Sequence, residues 1–326
     1  MLSAAADRFH TVPAKFRQQS LSRLRNRNPA VQNFLMGDVG AVHGFVRAMI
    51  GLHDGAIYAG SGKNPFAARI TQNLRIEFDI RVGGCEIAGK SGGGDISGFD
   101  GSDRFIMGLL RASADAVMVG SGTLHQTAPE HLFVAGSVFP GARDLYARYR
   151  SEALKRTAPP LQVVVSGTGR VDLTRAIFRT PGIQTLIVTT QAGKDLLAVN
   201  GAGSLVTTEV RSLEGPIIAP AAILQLLRAE FGVSLLLHEG GPTLFGRFVA
   251  DGCVDELFLT IAPQVAGRNM PSPRPGFIAG MEFIPATAPW LNIVSVKVRG
   301  NHLYLRYCAG RGMSGNRHSA APLLSQ

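Results

Sequence analysis

No apolar run in this 326-residue sequence approaches the roughly 20 residues that span a bilayer, which argues against a membrane-spanning helix. Cysteine is scarce as well: Cys85, Cys253 and Cys308 are far apart and odd in number. They build neither a disulfide framework nor a Cys-x-x-Cys zinc site, so reduced thiols in a cytoplasmic compartment are the expectation. The Gly-x-Gly-x-x-Gly dinucleotide fingerprint is missing from any strand–turn–helix context. What is present is an ordinary globular composition, 45% apolar and 17% charged, long enough for a sizeable core.

The formal net charge of +10 invites a nucleic-acid reading, so its location matters. Residues 1–75 carry ten Lys and Arg against Asp7, Asp38 and Asp54, and the last eighteen residues add Arg311 and Arg317. The main body is close to neutral, and the basicity belongs to the ends. That argues against a nucleic-acid-binding fold and leaves a basic arm. Residues 1–36 read as an irregular basic leader, a flexible extension or an organelle transit peptide by composition.

The sequence divides into a basic, poorly assignable extension (1–73), a readable domain (74–308) and a disordered tail (309–326). Ile76, Phe78 and Ile80 alternate with Glu77, Asp79 and Arg81, the period of a strand. Asp103–Ser113 reads as an amphipathic helix turning Phe105, Ile106, Leu109 and Leu110 inward, and Ala142–Lys155 as a surface helix. Strands are expected at Asp115–Val119, Leu161–Val165, Thr185–Val188, Leu235–Leu237 and Asp255–Ala262. Helices are expected at Ala219–Phe231 and from Pro242, and Ile293–Val298 turns at Arg299–Asn301 into Leu303–Tyr307 as a hairpin. Strands alternating with helices and closed by a hairpin indicate an α/β fold, a mostly parallel central sheet with antiparallel C-terminal edge strands.

Four loops then fall at strand C-terminal ends: Gly120–Thr123, Ser166–Arg170, Thr189–Thr190 and Glu239–Thr243. Ligands of open α/β sheets bind beyond those ends. Two glycine turns, each followed by a threonine, can bracket a diphosphate with backbone N–H groups and hydroxyls, while Ser166 and Arg170 suit a further phosphate. The combination fits a phosphorylated dinucleotide such as NADPH. His238 is the histidine nearest this crevice, and a structural role is expected for it.

Asp115-Ala-Val-Met-Val-Gly-Ser-Gly-Thr123, Leu237-His-Glu-Gly-Gly-Pro-Thr-Leu244 and Val254-Asp-Glu-Leu-Phe-Leu-Thr-Ile-Ala-Pro263 resemble the reductase domain of bacterial riboflavin-biosynthesis deaminase-reductases. Gly89-Lys-Ser-Gly92, Asp103-Arg-Phe105 and Leu109-Leu-Arg111 carry the same resemblance, which runs from about Leu74 to Tyr307. It implies a dihydrofolate-reductase-like three-layer sandwich, NADPH as cofactor, and reduction of the ribosyl group of a pyrimidine ribosylamine 5′-phosphate to ribityl. It also implies a homodimer through the terminal strands. By the same resemblance the cofactor residues are Gly120, Ser121, Gly122, Thr123, Ser166, Thr189, Gly240, Gly241, Pro242, Thr243 and Leu244. The substrate side falls to Ser91, Arg104 and Glu239, with Glu239 the remaining carboxylate that could act in catalysis.

Two departures bear on activity. There is no His-x-Glu followed by Pro-Cys-x-x-Cys, so the zinc deaminase half is missing from this sequence. The family's first strand ends Ser-Leu-Asp-Gly, and aligned through Gly83 and Ser91-Gly92 this chain has Val82 in place of the aspartate. Leu52-His-Asp-Gly55 looks like the missing motif but lies far upstream; Asp79 and Glu86 are the nearby carboxylates that could substitute, and the alternate strand face disfavours Asp79. Two readings follow: a reductase for a ribosylaminopyrimidine phosphate or related polar heterocycle, and a non-catalytic NADP(H)-binding relative.

Overall fold

The computed structural model describes residues 69–76, 97–264 and 276–309. The chain divides into units 1–57 and 58–326, and every described residue belongs to the second. The strands are β1 (Arg69–Ile76), β2 (Ala116–Gly120), β3 (Leu161–Ser166), β4 (Thr185–Thr190), β5 (Thr208–Leu213), β6 (Leu235–His238), β7 (Glu256–Ile261), β8 (Leu291–Arg299) and β9 (His302–Ala309). They form one sheet in the order β5-β4-β3-β2-β6-β1-β7-β9-β8. Every pairing from β5 across to β7 is parallel, and β9 joins β7 and β8 antiparallel.

The central strands β2, β3, β4 and β6 are dominated by β-branched and leucine residues because helices cover both of their faces. Along β3, Val163 and Val165 enter one apolar layer and Val164 the other. The first layer holds Ile223, Leu224 and Leu227 of α5 (Pro220–Phe231) and Phe245 and Phe248 of α6 (Pro242–Ala250). The second holds Leu110 of α1 (Gly101–Ser113), Leu124 of α2 (Ser121–Gln126) and Leu197 of α4 (Gln191–Val199). Helix, sheet and helix make the three layers expected.

Helix α1 is fixed at both ends. Asp100 caps its start, with Oδ1 accepting from the N–H groups of Ser102 and Asp103 at 2.9 Å each and from the Tyr304 hydroxyl at 2.6 Å. The cap therefore ties the helix to β9. At the other end the buried Arg150 donates to the carbonyls of Ala112 at 2.7 Å and Ala114 at 2.8 Å, and twice to Ala158. A cation on the last carbonyls satisfies groups the helix leaves open and complements its dipole.

That arrangement corrects the surface-helix reading of Ala142–Lys155. The stretch is α3 (Arg143–Arg148) running into a wider turn to Ala153, and Tyr146, Tyr149 and Arg150 on it are buried. Tyr146 reaches under α1 to donate to the Phe105 carbonyl at 2.9 Å, through space that Gly108 leaves open.

The first described strand, β1, spans Arg69–Ile76, with Arg69–Gln72 beside Leu235–His238 and Thr71–Ile76 beside Glu256–Ile261. The alternating stretch expected as a strand lies beyond Ile76, outside the described residues. Strand β5 and helix α4 had no expectation at all. The closing hairpin turns where read, with Gly300 at φ 56°, a backbone angle that suits glycine.

Candidate functional site

The C-terminal ends of β2, β3 and β6 open on one side of the sheet, and there the two glycine bends meet. An ideal Cβ at Gly241 would stand 2.8 Å from Thr123 Oγ1, and one at Gly120 would stand 3.8 Å from Leu244 Cδ2. Between them lies a cavity of about 470 Å³, lined by Gly120–Thr123, Gln126, Val165, Gly167, Pro216–Ile218, Gly241–Leu244 and Arg247. At Gly122 and Gly167 an added Cβ would meet nothing within 4 Å. Those glycines therefore leave backbone bare to the cavity rather than relieving a clash. The starts of α2 and α6 both border this space. Their first-turn N–H groups have no partner within the helix, and the dipole of the longer α6 favours an anion at its start.

Of the residues expected on the cofactor side, the structure gathers Gly120, Ser121, Gly122, Thr123, Gly241, Pro242, Thr243 and Leu244 into this lining. It does not bring Ser166, Thr189 or Gly240 there. Strand alternation explains the first two: Val165 faces the cavity layer, so Ser166, beside Thr189 in register, faces the opposite one. Thr189 Oγ1 donates to the Ser166 carbonyl at 2.6 Å and stitches β3 to β4. Gly240 is occupied locally, its N–H donating to His238 Nδ1 at 3.0 Å.

His238 is fully buried against Phe248 and Phe245, at ring distances of 4.8 and 5.8 Å. Burial pushes its pKa down to about 3, so the ring is neutral, and the bond from Gly240 assigns the proton to Nε2. This is the structural histidine the sequence suggested.

On the substrate side, Glu239 stands next to the bend but is clamped. Arg111 of α1 donates to it through Nε–Oε1 at 2.8 Å and Nη2–Oε2 at 2.7 Å, with 3% and 8% of the two side chains exposed. Arg111 Nη1 also reaches the Val134 carbonyl at 3.3 Å and Ser137 Oγ at 3.2 Å. A bidentate pair this dry is costly to form and far more costly to break, so it holds the bend firmly. Arg104, on the same helix, donates through Nε to the Val138 carbonyl at 2.9 Å. Ser91, Val82 and the Leu52–Gly55 motif lie outside the described residues, as do Asp79, Glu86 and Glu77.

Gly167 belongs to the Ser166–Arg170 loop read at the crevice, whereas Val165, Gln126, Pro216–Ile218 and Arg247 are lining residues that sequence reasoning missed. Pro216–Ile218 follows β5, a strand the reading did not find, so its C-terminal loop was not counted with the other four. Ile217 is 58% exposed at the cavity edge, an apolar side chain with no core to serve.

An open, mostly parallel sheet with a glycine-floored cavity beyond its strand ends is the α/β architecture in which ligands are seated outside the carboxyl ends of the strands. The particular family is given by its model, the RibD C-terminal domain, which matches residues 84–301; the chain belongs to this riboflavin-biosynthesis reductase family. A 2,5-diamino-6-ribosylamino-4(3H)-pyrimidinone 5′-phosphate reductase from Archaeoglobus fulgidus is 28% identical over 171 residues, 52% of this chain and 72% of that protein. Form 1 of Acinetobacter baumannii RibD superposes with a TM-score of 0.56 at 17% identity, over 84% of this chain and 63% of that one. A pyrimidine reductase-like protein from Corynebacterium diphtheriae gives 0.54 at 19% identity, over 77% of this chain and 97% of the other. At these identities the solved structures establish the shared fold. The chain spans less than two thirds of the length of the RibD protein.

Proposed function

We propose that this chain is an NADPH-dependent reductase acting on a ribosylaminopyrimidine 5′-phosphate or a closely related polar heterocycle. The observation that carries the reading is the convergence of Gly120–Thr123 and Gly241–Thr243 on one cavity. In it those two bends hold the cofactor diphosphate, through backbone N–H groups and the Thr123 and Thr243 hydroxyls. Val165, Pro216, Ile217 and Ile218 form an apolar wall suited to the flat face of the adenine. The cofactor supplies a hydride. The chain's task is to seat it, exclude water and set the substrate carbon against it. Glu239, fixed by Arg111, borders the substrate side as a rigid acceptor, and Arg104 is the cation proposed for the substrate phosphate.

Titration with NADPH, followed by nicotinamide fluorescence, tests the reading, and the absence of saturable binding removes it. A second reading, a relative that binds the cofactor without turnover, is favoured by Val82 standing where the family has aspartate. Consumption of NADPH in the presence of the ribosylaminopyrimidine phosphate decides between the two.

We further propose a cytoplasmic homodimer. Cys253 and Cys308 are free thiols, and the edge strand β8 exposes Ile293, Val294, Val296 and Val298. A long apolar sheet edge invites pairing with another copy. Val296→Lys is expected to shift the protein to monomer in sedimentation velocity, and an unchanged sedimentation coefficient would reject that edge as the interface.

A further inference from the structure

Apart from its glycines, the cavity is lined by short hydroxyls, one amide, an apolar wall and a single charged side chain, Arg247. No acid lines it. Among the described residues no carboxylate or carbonyl engages the Arg247 guanidinium, in contrast to Arg111, Arg156, Arg211 and Arg306, each paired with a carboxylate. Arg247 lies on α6 three and four positions beyond Leu244 and Thr243, both of which line the cavity. Helical side chains lean toward the N-terminus over the residues three and four positions back. The guanidinium is therefore carried back along the helix toward the bend at Gly241, and away from the C-terminal carbonyls that an arginine in a last turn would otherwise complement.

We propose that Arg247 is the countercharge for the diphosphate of the bound dinucleotide and does not read the extra phosphate that distinguishes NADPH from NADH. This rests on the cofactor reading above and adds a residue and a specificity to it. The helix start and the bare glycines offer only partial charges, whereas a diphosphate brings full ones. A guanidinium beside it supplies charge-assisted, directional bonds. The helix stays anchored independently of Arg247, since Phe245 and Phe248 are buried and the Ala279 N–H donates to the Pro242 carbonyl at 3.3 Å.

The test compares wild type, Arg247→Met and Arg247→Lys in NADPH and NADH titrations, with thermal unfolding as the folding control. Loss of one charge-assisted contact predicts a Kd roughly ten- to a hundredfold higher for Arg247→Met. Arg247→Lys should recover much of that loss, and NADH should weaken by the same factor as NADPH. The salt dependence of NADPH binding should also flatten in Arg247→Met. Binding by Arg247→Met within twofold of wild type overturns the proposal, and so does a loss confined to NADPH. Failure of the wild type to bind either dinucleotide removes the cofactor reading itself, a result distinct from a wild type and a variant that bind alike.

Discussion

A methyl group at Gly122 separates binding from folding. Gly122 is the second residue of α2, its φ is not in the left-handed region, and an added Cβ there would meet nothing within 4 Å while facing the cavity. Alanine therefore fits the fold and gains helix propensity, about 0.5–1 kcal/mol over glycine. For a domain of this size that corresponds to a rise in Tm of roughly 1–4 °C. The same methyl stands over backbone that the proposed diphosphate must approach. Displacing one charge-assisted N–H contact costs about 1.5–3 kcal/mol, a Kd roughly ten- to a hundredfold higher. Gly122→Ala should thus be at least as stable as wild type and bind NADPH much more weakly, read by scanning calorimetry and by nicotinamide fluorescence. An unchanged Kd would mean the bend does not seat the cofactor. A lowered Tm would mean the open space at Gly122 has been misjudged.

Three further outcomes follow from the packing. Arg111→Met strands the Glu239 carboxylate in a site where 8% of it is exposed, so urea unfolding should show a loss of about 3–5 kcal/mol; a loss under 1 kcal/mol would mean the clamp is relaxed in solution. Gly108→Ala places a Cβ 2.5 Å from the Tyr146 hydroxyl, so it should destabilise by about 1–3 kcal/mol in the same assay despite the better helix former, and a gain in stability would refute that packing. His238 is neutral when folded because burial lowers its pKa to about 3, whereas unfolded it protonates below about 6.5. The unfolded chain therefore binds more protons between those values, and the stability His238 contributes, complete above pH 6.5, is lost at up to about 1.4 kcal/mol per unit as pH falls. His238→Asn should flatten that slope by about one proton, and an unaltered slope would place the titration elsewhere.

The legible and illegible parts of the chain separate on physical grounds. β2, β3, β4 and β6 were legible because burial on both faces demands unbroken apolar runs, and their ends gave the loops. β5 was not, since Thr208–Leu213 is a half-exposed edge strand whose Glu209 and Arg211 answer to solvent and to Glu230 rather than to a core. Losing β5 also lost Pro216–Ile218 as a cavity wall. The convergence of the two bends was readable from the fold order, but the direction of Ser166 was not, because a one-residue parity decides between cavity and opposite layer. The Arg111–Glu239 clamp joins α1 to the end of β6 across 128 residues of sequence. No local pattern announces such a pair. Arg150 hid in a similar way, since nothing in its own stretch shows that the α1 carbonyls await it.

The residues on either side of Gly240 explain how a bend of two glycines stays in one shape. Glycine brings the most conformational freedom to the unfolded chain, so a ligand seat built from it is loose unless its flanks are pinned. Here the Glu239 N–H donates to the Met118 carbonyl at 2.8 Å, which holds the end of β6 to β2. The Glu239 side chain is clamped by Arg111, and the Gly240 N–H is taken by His238. The Phe245 N–H closes the first helical turn on the Gly241 carbonyl at 3.0 Å. Each of these groups is turned away from the cavity, and the open first turn of α6 is what remains facing it. A buried ion pair and a buried neutral histidine are poor choices for stability alone, because apolar groups of equal volume would serve at least as well. Their positions, on the two residues that precede Gly240, make sense if their task is to deliver that turn to an anion already in the right geometry.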